Sequence, residues 1–350
     1  MSHQRGLSLP HRTGGVSMVG TLIALASAMS FAVSGSFAKG LLDAGWSPGA
    51  AVTVRIVGAA LVLAPALLLV PGDLRRLPRA AWPVIGYGAL GVAGAQLCYF
   101  MALDTLPVSV ALLIEYSAPV LIVGWTWARS GRRPNGWVLI GTVVAVTGLV
   151  AVIDPAGATL DPVGLAWASG AGLCNAGYFL LSARAVDGIA PLTMTAAGVG
   201  VAGLGIGATA ALGLLPVTMT FGSVTLAGAA VPWWLPAVGL VLVSTVLAYG
   251  TGLLAARRLG AQLASFVALT EVVFAVLAAW VLAGEVPGLP QLVGGVVMLA
   301  GVATVRAGSV TDQAASTTST ANGGRYSSTV GSVEPEPAVA GATREGVGLR

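Results

Sequence analysis

Residues that could carry enzyme chemistry or bind a metal ion are scarce in this sequence. The two histidines, His3 and His11, stand in the polar N-terminal stretch, and the two cysteines, Cys98 and Cys174, stand alone in separate apolar runs. There is no HExxH, no CxxC and no acidic cluster. We therefore expect no catalytic residues, no metal site and no cofactor, and we expect both cysteines to be small apolar packing residues.

Charge is also scarce, and hydrophobic residues dominate instead. Charged residues make up 9% of the chain, whereas soluble domains contain about 25%. Hydrophobic residues make up 56% and the mean hydropathy is +0.89, which is more than a soluble fold could bury. The net charge of +4 comes from arginines in short pairs between apolar runs, a pattern typical of membrane topology signals. The sequence predicts a protein surrounded by a lipid bilayer, without a nucleic-acid partner.

Ten apolar runs are long enough to cross a bilayer as helices. They cover residues 17–38, 48–70, 81–103, 108–127, 137–153, 162–182, 191–214, 232–256, 259–283 and 289–305. The first run continues past Ala26-Ser27-Ala28, which imitates a signal-peptidase site, so we expect an uncleaved first span. The predicted fold is all-α and integral to the membrane.

Basic residues predict how these spans are oriented. With a cytoplasmic N-terminus, the arginines of the connecting segments fall inside and only Lys39 falls outside. We therefore predict a multi-pass protein of the plasma (inner) membrane with both termini in the cytoplasm. Residues 1–16 form a polar cytoplasmic leader. Residues 307–350 are rich in Ser, Thr, Ala and Gly, which predicts a disordered cytoplasmic tail.

The two halves of the chain resemble each other. Setting Leu106 against Leu259 without gaps pairs seven further identical residues: Ala111, Val120, Trp127, Gly131, Pro134, Gly141 and Gly148 with Ala264, Val273, Trp280, Gly284, Pro287, Gly294 and Gly301. Each half holds five spans, an odd number, so the second half must enter the membrane from the opposite side. We predict two five-helix inverted-topology repeats, residues 17–153 and 162–306, an arrangement that underlies alternating access in transporters.

The stretch RRLGAQLASFVALTEVVFAVLAAWVLAGE has a basic Leu-Gly-Ala start, a mid-span Glu and a closing Gly-Glu. With this stretch, which is similar to a second-repeat pattern, the chain resembles the EamA branch of the drug/metabolite transporter superfamily over residues 17–306. Glu271 matches the mid-span Glu, and Gly284-Glu285 matches the closing pair. The resemblance implies a ten-helix secondary transporter, often an exporter of amino acids or other small metabolites.

Two further residues match the family, and two depart from it. Arg55 matches an arginine common in the second span, and Pro119 matches the first-repeat proline. Val272 stands where a proline usually follows the glutamate, so the helix break expected there lacks its usual cause. Arg132 stands where the first repeat usually has its closing Glu.

Three ionisable residues lie inside the predicted spans, where a charge costs about 2.5 to 3.5 kcal/mol on insertion scales. Arg55 and Glu115 lie at a similar depth, roughly 10 Å from the outer ends of their spans. They either form an ion pair or line a cavity, or else Arg55 extends outward and Glu115 caps backbone groups. Glu271 lies near mid-span, where it either exchanges a proton and couples transport to protons or stays protonated as a packing residue.

Several neutral polar residues also fall inside the spans. We predict that they line a central cavity for a small polar or zwitterionic solute, although each alone is equally suited to hydrogen bonding between helices. They are Gln96, Tyr99, Tyr116, Asn175, Tyr178 and Tyr249, together with Ser244 and Thr245.

These features predict a transporter and no enzyme. The function we expect is export of a small organic metabolite, such as an amino acid, by alternating access. An integral-membrane enzyme is one alternative, but the spans contain no histidine and no acidic metal or diphosphate motif. A non-transporting membrane scaffold or sensor is another, for which the tail is the only hint.

Overall fold

In the computed structural model, the described residues are 18–103, 105–106, 108–131, 133–153, 161–184, 188–283 and 286–327. In this part of the chain, nine helical stretches are long and apolar enough to cross a membrane. They are Met18–Asp43, Pro48–Leu69, Leu77–Ala102, Val110–Ser130, Gly136–Ile153, Pro191–Ala211, Trp234–Leu259, Ala261–Leu282 and Leu289–Ser309. The prediction of an all-α membrane protein is confirmed.

The sixth predicted span is a helix of 21 residues, Pro162–Ser182. It is less apolar than the others because it contains Ser169, Asn175 and four glycines. The Asp161 side chain caps its first turn by accepting hydrogen bonds from the backbone N–H groups of Val163 and Gly164, both at 2.9 Å. We number the spans 1 to 10 in chain order, counting Pro162–Ser182 as span 6.

Two features lie outside the predicted spans or extend beyond them. A β-hairpin, absent from the sequence prediction, joins spans 7 and 8: β1 (Ser223–Leu226) pairs antiparallel with β2 (Ala229–Pro232). Its turn, Ala227-Gly228, has positive φ at both residues, as a type I′ turn requires. The helix that contains span 10 continues from Leu289 to Ser327, so it includes the beginning of the segment that we expect to be disordered. The leader and residues 328–350 lie outside the described residues.

Spans 4 and 9 are broken at equivalent positions of the two repeats. Span 4 consists of the helices Val108–Glu115 and Ala118–Ser130, and span 9 consists of Ala261–Ala268 and Thr270–Ala283. In the alignment of the two repeats, Glu115 corresponds to Ala268, and each ends the first half of its span. Discontinuous helices near the membrane midplane are typical of substrate sites in transporters.

Spans 3 and 8 are also equivalent, and each contains a π-helical segment. These segments are Tyr87–Gly94 in span 3 and Leu242–Leu247 in span 8. The short helix Pro71–Leu74 precedes span 3, and the 3₁₀ turn Leu77–Ala80 begins it. π-helical segments displace the usual backbone hydrogen bonds, and they are often found at functional sites.

Spans 5 and 10 pack through the glycines that the repeat alignment pairs. A Cβ atom added to Gly141 would meet the Gly301 carbonyl oxygen at 2.8 Å, and one added to Gly148 would meet the Gly294 carbonyl oxygen at 2.7 Å. Only glycine allows the two backbones to approach this closely. Gly141 therefore contacts Gly301 and Gly148 contacts Gly294, whereas the repeat alignment pairs Gly141 with Gly294 and Gly148 with Gly301.

The bundle has two faces, which we name by what they carry. On the arginine-rich face, the connection between spans 2 and 3 touches that between spans 6 and 7, where Arg76 Nη1 donates to the Gly188 carbonyl oxygen at 2.9 Å. The hairpin face carries β1, β2 and the connection between spans 1 and 2. There, the Ser47 N–H donates to the Thr218 carbonyl oxygen at 3.0 Å.

Candidate functional site

A cavity of about 580 Å³ lies within the bundle, between spans of both repeats. Spans 1, 2, 3 and 4 contribute to its wall from the first repeat, and spans 6, 8 and 9 contribute from the second. Its volume is in the range of small-molecule sites. Nine of the eleven residues that we predict for the cavity from the sequence line it: Arg55, Gln96, Tyr99, Glu115, Tyr116, Asn175, Tyr178, Tyr249 and Glu271.

Arg55 is fixed in the cavity wall by three hydrogen bonds to neutral groups. Its Nε donates to Thr245 Oγ1 at 3.1 Å, its Nη2 donates to the Ser244 carbonyl oxygen at 3.0 Å and its Nη1 donates to Ser34 Oγ at 3.0 Å. The π-helical segment of span 8 contains both Ser244 and Thr245, and its altered hydrogen bonding makes the Ser244 carbonyl available. The guanidinium also lies 5.9 Å from the centre of the Phe31 ring.

The direct ion pair between Arg55 and Glu115, one of the two alternatives from the sequence, is not formed. The Arg55 guanidinium is instead occupied by the span 8 backbone and by two hydroxyl groups. Arg55, Glu115 and Glu271 all line the same cavity, and Lys39 and Asp43 line it nearer the hairpin face. The inner part of the cavity therefore combines a fixed guanidinium with two carboxyl groups.

Glu115 lies at the break in span 4, and a proline explains the break. Pro119 lacks the N–H that would donate to the Glu115 carbonyl oxygen one helical turn earlier. Asn175 Nδ2, from span 6, donates to this carbonyl oxygen instead, at 3.4 Å. Asn175 thus stabilises the break and holds Glu115 at the end of its half-helix, at the cavity wall.

Glu271 lies in the first turn of the second half of span 9. The break there forms without a proline, because the Val272 N–H donates to the Leu269 carbonyl oxygen at 3.0 Å, three residues back. An acidic side chain in a first helical turn is stabilised by the helix dipole. Tyr116, at the break in span 4, and Glu271, at the break in span 9, line the same cavity.

Aromatic rings form much of the remaining wall. Tyr249 packs edge-on against Phe31, with ring centres 4.9 Å apart, and against Tyr178, with ring centres 5.8 Å apart. Tyr99 packs edge-on against Phe100 at 5.7 Å. Rings in edge-to-face contact give a rigid wall that still offers hydroxyl groups to a solute.

The cavity extends toward one face only. Its lining continues along span 1 through Lys39 to the exposed residues Leu42 and Asp43 at the hairpin face. In the other direction, its lining ends at the buried residues Ala24, Gly252 and Ala255. The cavity is therefore open toward the hairpin face, where its lining is exposed, and it ends among buried residues toward the arginine-rich face.

Loop contacts hold the arginine-rich face together. The buried Asp73 carboxylate accepts hydrogen bonds from the Ala190 N–H at 2.8 Å and from Thr193 Oγ1 at 2.9 Å, so it caps the start of span 7. These two hydrogen bonds, the backbone one first, lower the pKa of Asp73 from its usual value. Arg257, at the end of span 8, donates from Nη1 to the Ile189 carbonyl oxygen at 3.3 Å.

Residues 18–153 and residues 162–307 both match the sequence model of the EamA-like transporter family. This chain belongs to that family. The match covers both halves separately, so the prediction of two repeats is confirmed, as is the resemblance to EamA transporters.

Several curated proteins are similar to this member of the EamA-like family. The threonine/homoserine exporter RhtA of Salmonella typhimurium strain LT2 is 30% identical over 177 residues, 49% of this chain and 56% of that protein. RhtA of Escherichia coli strain K12 is 30% identical over 176 residues, 49% and 55% of the two chains. The uncharacterized transporter YwfM of Bacillus subtilis strain 168 is 34% identical over 105 residues, 29% and 35%. The chain thus spans about half the length of the RhtA proteins that it matches.

A solved crystal structure has the same fold. It superposes with a TM-score of 0.67 at 21% sequence identity, covering 82% of this chain and 97% of that chain. The arrangement of helices around the cavity is therefore one that another chain adopts experimentally.

Some residues of this EamA-like site are not evident from the sequence. Ser34 holds Arg55, and Phe31 lies beside it, but both stand in a run of small and apolar residues that resembles any packed membrane helix. Ser244 and Thr245, which we predict for the cavity wall, lie behind it and hold Arg55. In the part of the chain that the structure describes, no group of His, Cys, Asp and Glu side chains is arranged to hold a metal ion.

Proposed function

We propose that this EamA-like transporter exports a small zwitterionic metabolite, such as an amino acid, by alternating access. The proposal rests on the fixed guanidinium of Arg55 and the two carboxyl groups of Glu115 and Glu271, which line one cavity between the repeats. A zwitterion placed there pairs its carboxylate with Arg55 and its ammonium group with a glutamate. The aromatic wall then encloses a small side chain. The names of the RhtA relatives, threonine/homoserine exporters, support this solute class.

We also propose that the arginine-rich face is cytoplasmic, following the positive-inside rule. Both termini are then in the cytoplasm of the plasma membrane, and the cavity as described is open to the outside. Solute released from this state leaves the cell, and the inverted repeat supplies the alternative state that is open inward. Reporter fusions after Val310 and at the N-terminus test this orientation. Activity from an externally reporting fusion at either terminus would contradict it.

Proton exchange at Glu271 is the coupling mechanism that we propose. Its carboxyl group lines the cavity at the break in span 9, where solvent from the open face reaches it. A proton bound in one conformation and released in the other would link export to the proton gradient.

Release of amino acids from loaded cells tests the proposed function. Cells that express the protein and are loaded with a panel of amino acids should release one or a few of them faster than cells without it. Arg55→Gln should abolish the difference, whereas Arg184→Gln, an exposed arginine outside the cavity, should not. Equal release from cells with and without the protein, at matched expression, would overturn the proposal.

A further inference from the structure

Between the cavity and the arginine-rich face lies a group of polar atoms that have no hydrogen-bond partner. Within the described residues, these buried atoms are the hydroxyl oxygens of Tyr87, Tyr178, Ser182 and Thr195 and the Nε and Nη2 atoms of Arg257. Tyr87 and Thr195 are fully buried, and Ser182 is 1% exposed. A buried polar group without a hydrogen-bond partner destabilises a fold, so such a group points to a partner that binds in another conformation.

These atoms form one cluster. The Tyr87 and Tyr178 rings lie 5.6 Å apart. The Tyr87 ring also lies against Gly198 of span 7, about one helical turn from Thr195. Ser182 follows Tyr178 by about one turn of span 6, and Arg257 is held at Ile189, just before span 7. The cluster is formed by residues of spans 3, 6, 7 and 8, which folding brings together.

The cluster is continuous with the cavity. Tyr178 belongs to both, and its ring packs against the cavity residue Tyr249. Its hydroxyl lies against Gly252 of span 8, where an added Cβ would approach it to 2.5 Å. From Tyr178 the unpartnered atoms lead to Arg257, at the end of span 8 on the arginine-rich face.

Arg257 offers a specific binding edge. Its Nη1 donates to the Ile189 carbonyl oxygen, which holds the guanidinium in place. Its Nε and Nη2, the atoms without partners, lie on the same edge of the planar guanidinium. Two parallel N–H groups on one edge match the two oxygens of a carboxylate, and they bind it more strongly than a neutral acceptor.

We propose that this cluster is a second carboxylate site, which the solute occupies on its way from the arginine-rich face to the cavity. The inference rests on the proposed function, because it assumes that the solute carries a carboxylate. In the conformation that is open to the arginine-rich face, the hydroxyl groups become hydrated and Arg257 holds the carboxylate in a bidentate pair. Closure of that face transfers the carboxylate to Arg55.

Thiol labelling tests the site without needing the identity of the solute. Cys98 and Cys174 are replaced by alanine, and Thr195→Cys is introduced into the full-length protein in nanodiscs, where both faces are accessible. Thr142→Cys is the matched control, since Thr142 is also a buried threonine of a span, but its hydroxyl is hydrogen-bonded within its own helix. A negatively charged methanethiosulfonate should label Thr195→Cys several-fold faster than Thr142→Cys.

Acetate and acetamide then test what binds there. Acetate should slow the labelling of Thr195→Cys several-fold relative to sodium chloride of equal ionic strength, and acetamide should not. With Arg257→Gln, acetate should no longer slow the labelling. With Arg257→Lys, which lacks the two parallel N–H groups, acetate should slow it less than in the parent. Both variants should elute like the parent in size-exclusion chromatography.

Three results would overturn the site: labelling as slow as at Thr142→Cys, equal protection by chloride, or acetate protection that does not need Arg257. These results do not depend on amino-acid export. If cells release no amino acid but Arg257-dependent acetate protection is present, the carboxylate site stands and the proposed solute class is wrong. If cells release an amino acid but acetate does not protect Thr195→Cys, the proposed solute class stands and the carboxylate site is wrong.

Discussion

Arg55 Nε donates a hydrogen bond of 3.1 Å to Oγ1 of Thr245, a residue 190 positions away in the other repeat. Thr245 Oγ1 in turn donates to the Leu240 carbonyl oxygen at 2.8 Å, within the distorted part of span 8. The cation of the cavity is thus held by the second repeat although it belongs to the first. Any movement of span 8 relative to span 2 must shift Arg55, which connects the proposed solute site to the proposed conformational change.

Thr245→Val removes this acceptor with little change in volume, and we expect it to weaken solute binding about tenfold or more. A hydrogen bond to a charged group contributes about 1.5 to 3 kcal/mol, and its loss leaves the guanidinium less well fixed. The control is Thr251→Val in the same span, whose hydroxyl bonds only to its own helix. Transport kinetics at several solute concentrations compare the two variants. Equal kinetics would mean that Thr245 does not position Arg55.

The spans are predictable from the sequence, and so is the gathering of polar residues around one cavity, for a simple physical reason. A bilayer tolerates polar side chains such as Glu115 or Asn175 only where they face one another or water, so polar residues scattered through different apolar runs converge on one interior cavity. The repeat is visible in the sequence because glycine recurs at aligned positions, Gly141 with Gly294 and Gly148 with Gly301. Close packing of the two backbones requires glycine at these positions.

Other features depend on contacts that no local pattern encodes. Two of the three hydrogen-bond partners of Arg55 come from a π-helical segment whose sequence, LVSTVL, is like that of an ordinary membrane helix. The break at Leu269 has no proline to mark it. The hairpin Ser223–Pro232 is short, and it is stabilised by Val224, which packs into the buried cluster of Leu41 and Trp46 at the end of span 1. These features follow from tertiary packing.

Glu271→Gln should separate binding from proton coupling. The amide keeps the shape and hydrogen-bonding capacity of the side chain but cannot gain or lose a proton. In proteoliposomes we expect the variant to exchange solute across the membrane, while transport driven by a pH gradient is lost. Glu271→Asp, which keeps a titratable group, should retain part of it. Full pH-driven transport by Glu271→Gln would reduce Glu271 to a packing residue.

Asp73 and Asp161 should make stability fall in acid. Hydrogen bonds lower the pKa of both, from the Ala190 N–H and Thr193 hydroxyl for Asp73 and chiefly from the Gly164 N–H for Asp161. A carboxylate whose pKa is lowered in the folded state stabilises the protein above its unfolded pKa of about 3.9, and this contribution is lost as the pH falls through the folded value. Thermal unfolding in detergent measures the effect.

Asp73→Asn and Asp161→Asn should each be less stable than the parent at neutral pH. The stability difference between the parent and each variant should become smaller as the pH drops below about 4. A constant difference between parent and variants from neutral to acid pH would show that neither carboxylate is stabilised by its charge.

Gly148→Ala should weaken the packing of span 5 against span 10. The added methyl group would clash with the Met298 N–H, and such overpacking typically costs about 1 to 3 kcal/mol. Gly177→Ala is the matched control, because nothing lies within 4 Å of its added Cβ, and it should be neutral or stabilising. Unfolding midpoints in detergent compare the two, and equal midpoints would contradict the close contact.

If the solute crosses the membrane through the cavity around Arg55, a bulky side chain placed in the cavity should stop transport. Gly35 lines the cavity and has open space around it, so a tryptophan there should fill the cavity without disturbing the bundle. Gly124 has equally open space but lies outside the cavity, on an exposed helix surface. Both variants should reconstitute like the parent.

Counterflow of radiolabelled L-threonine into proteoliposomes is the measurement. The parent and Gly124→Trp should exchange threonine at similar, saturable rates, and Gly35→Trp should show only the leak of protein-free liposomes. Exchange by Gly35→Trp at the rate of the parent would show that the solute does not cross through this cavity.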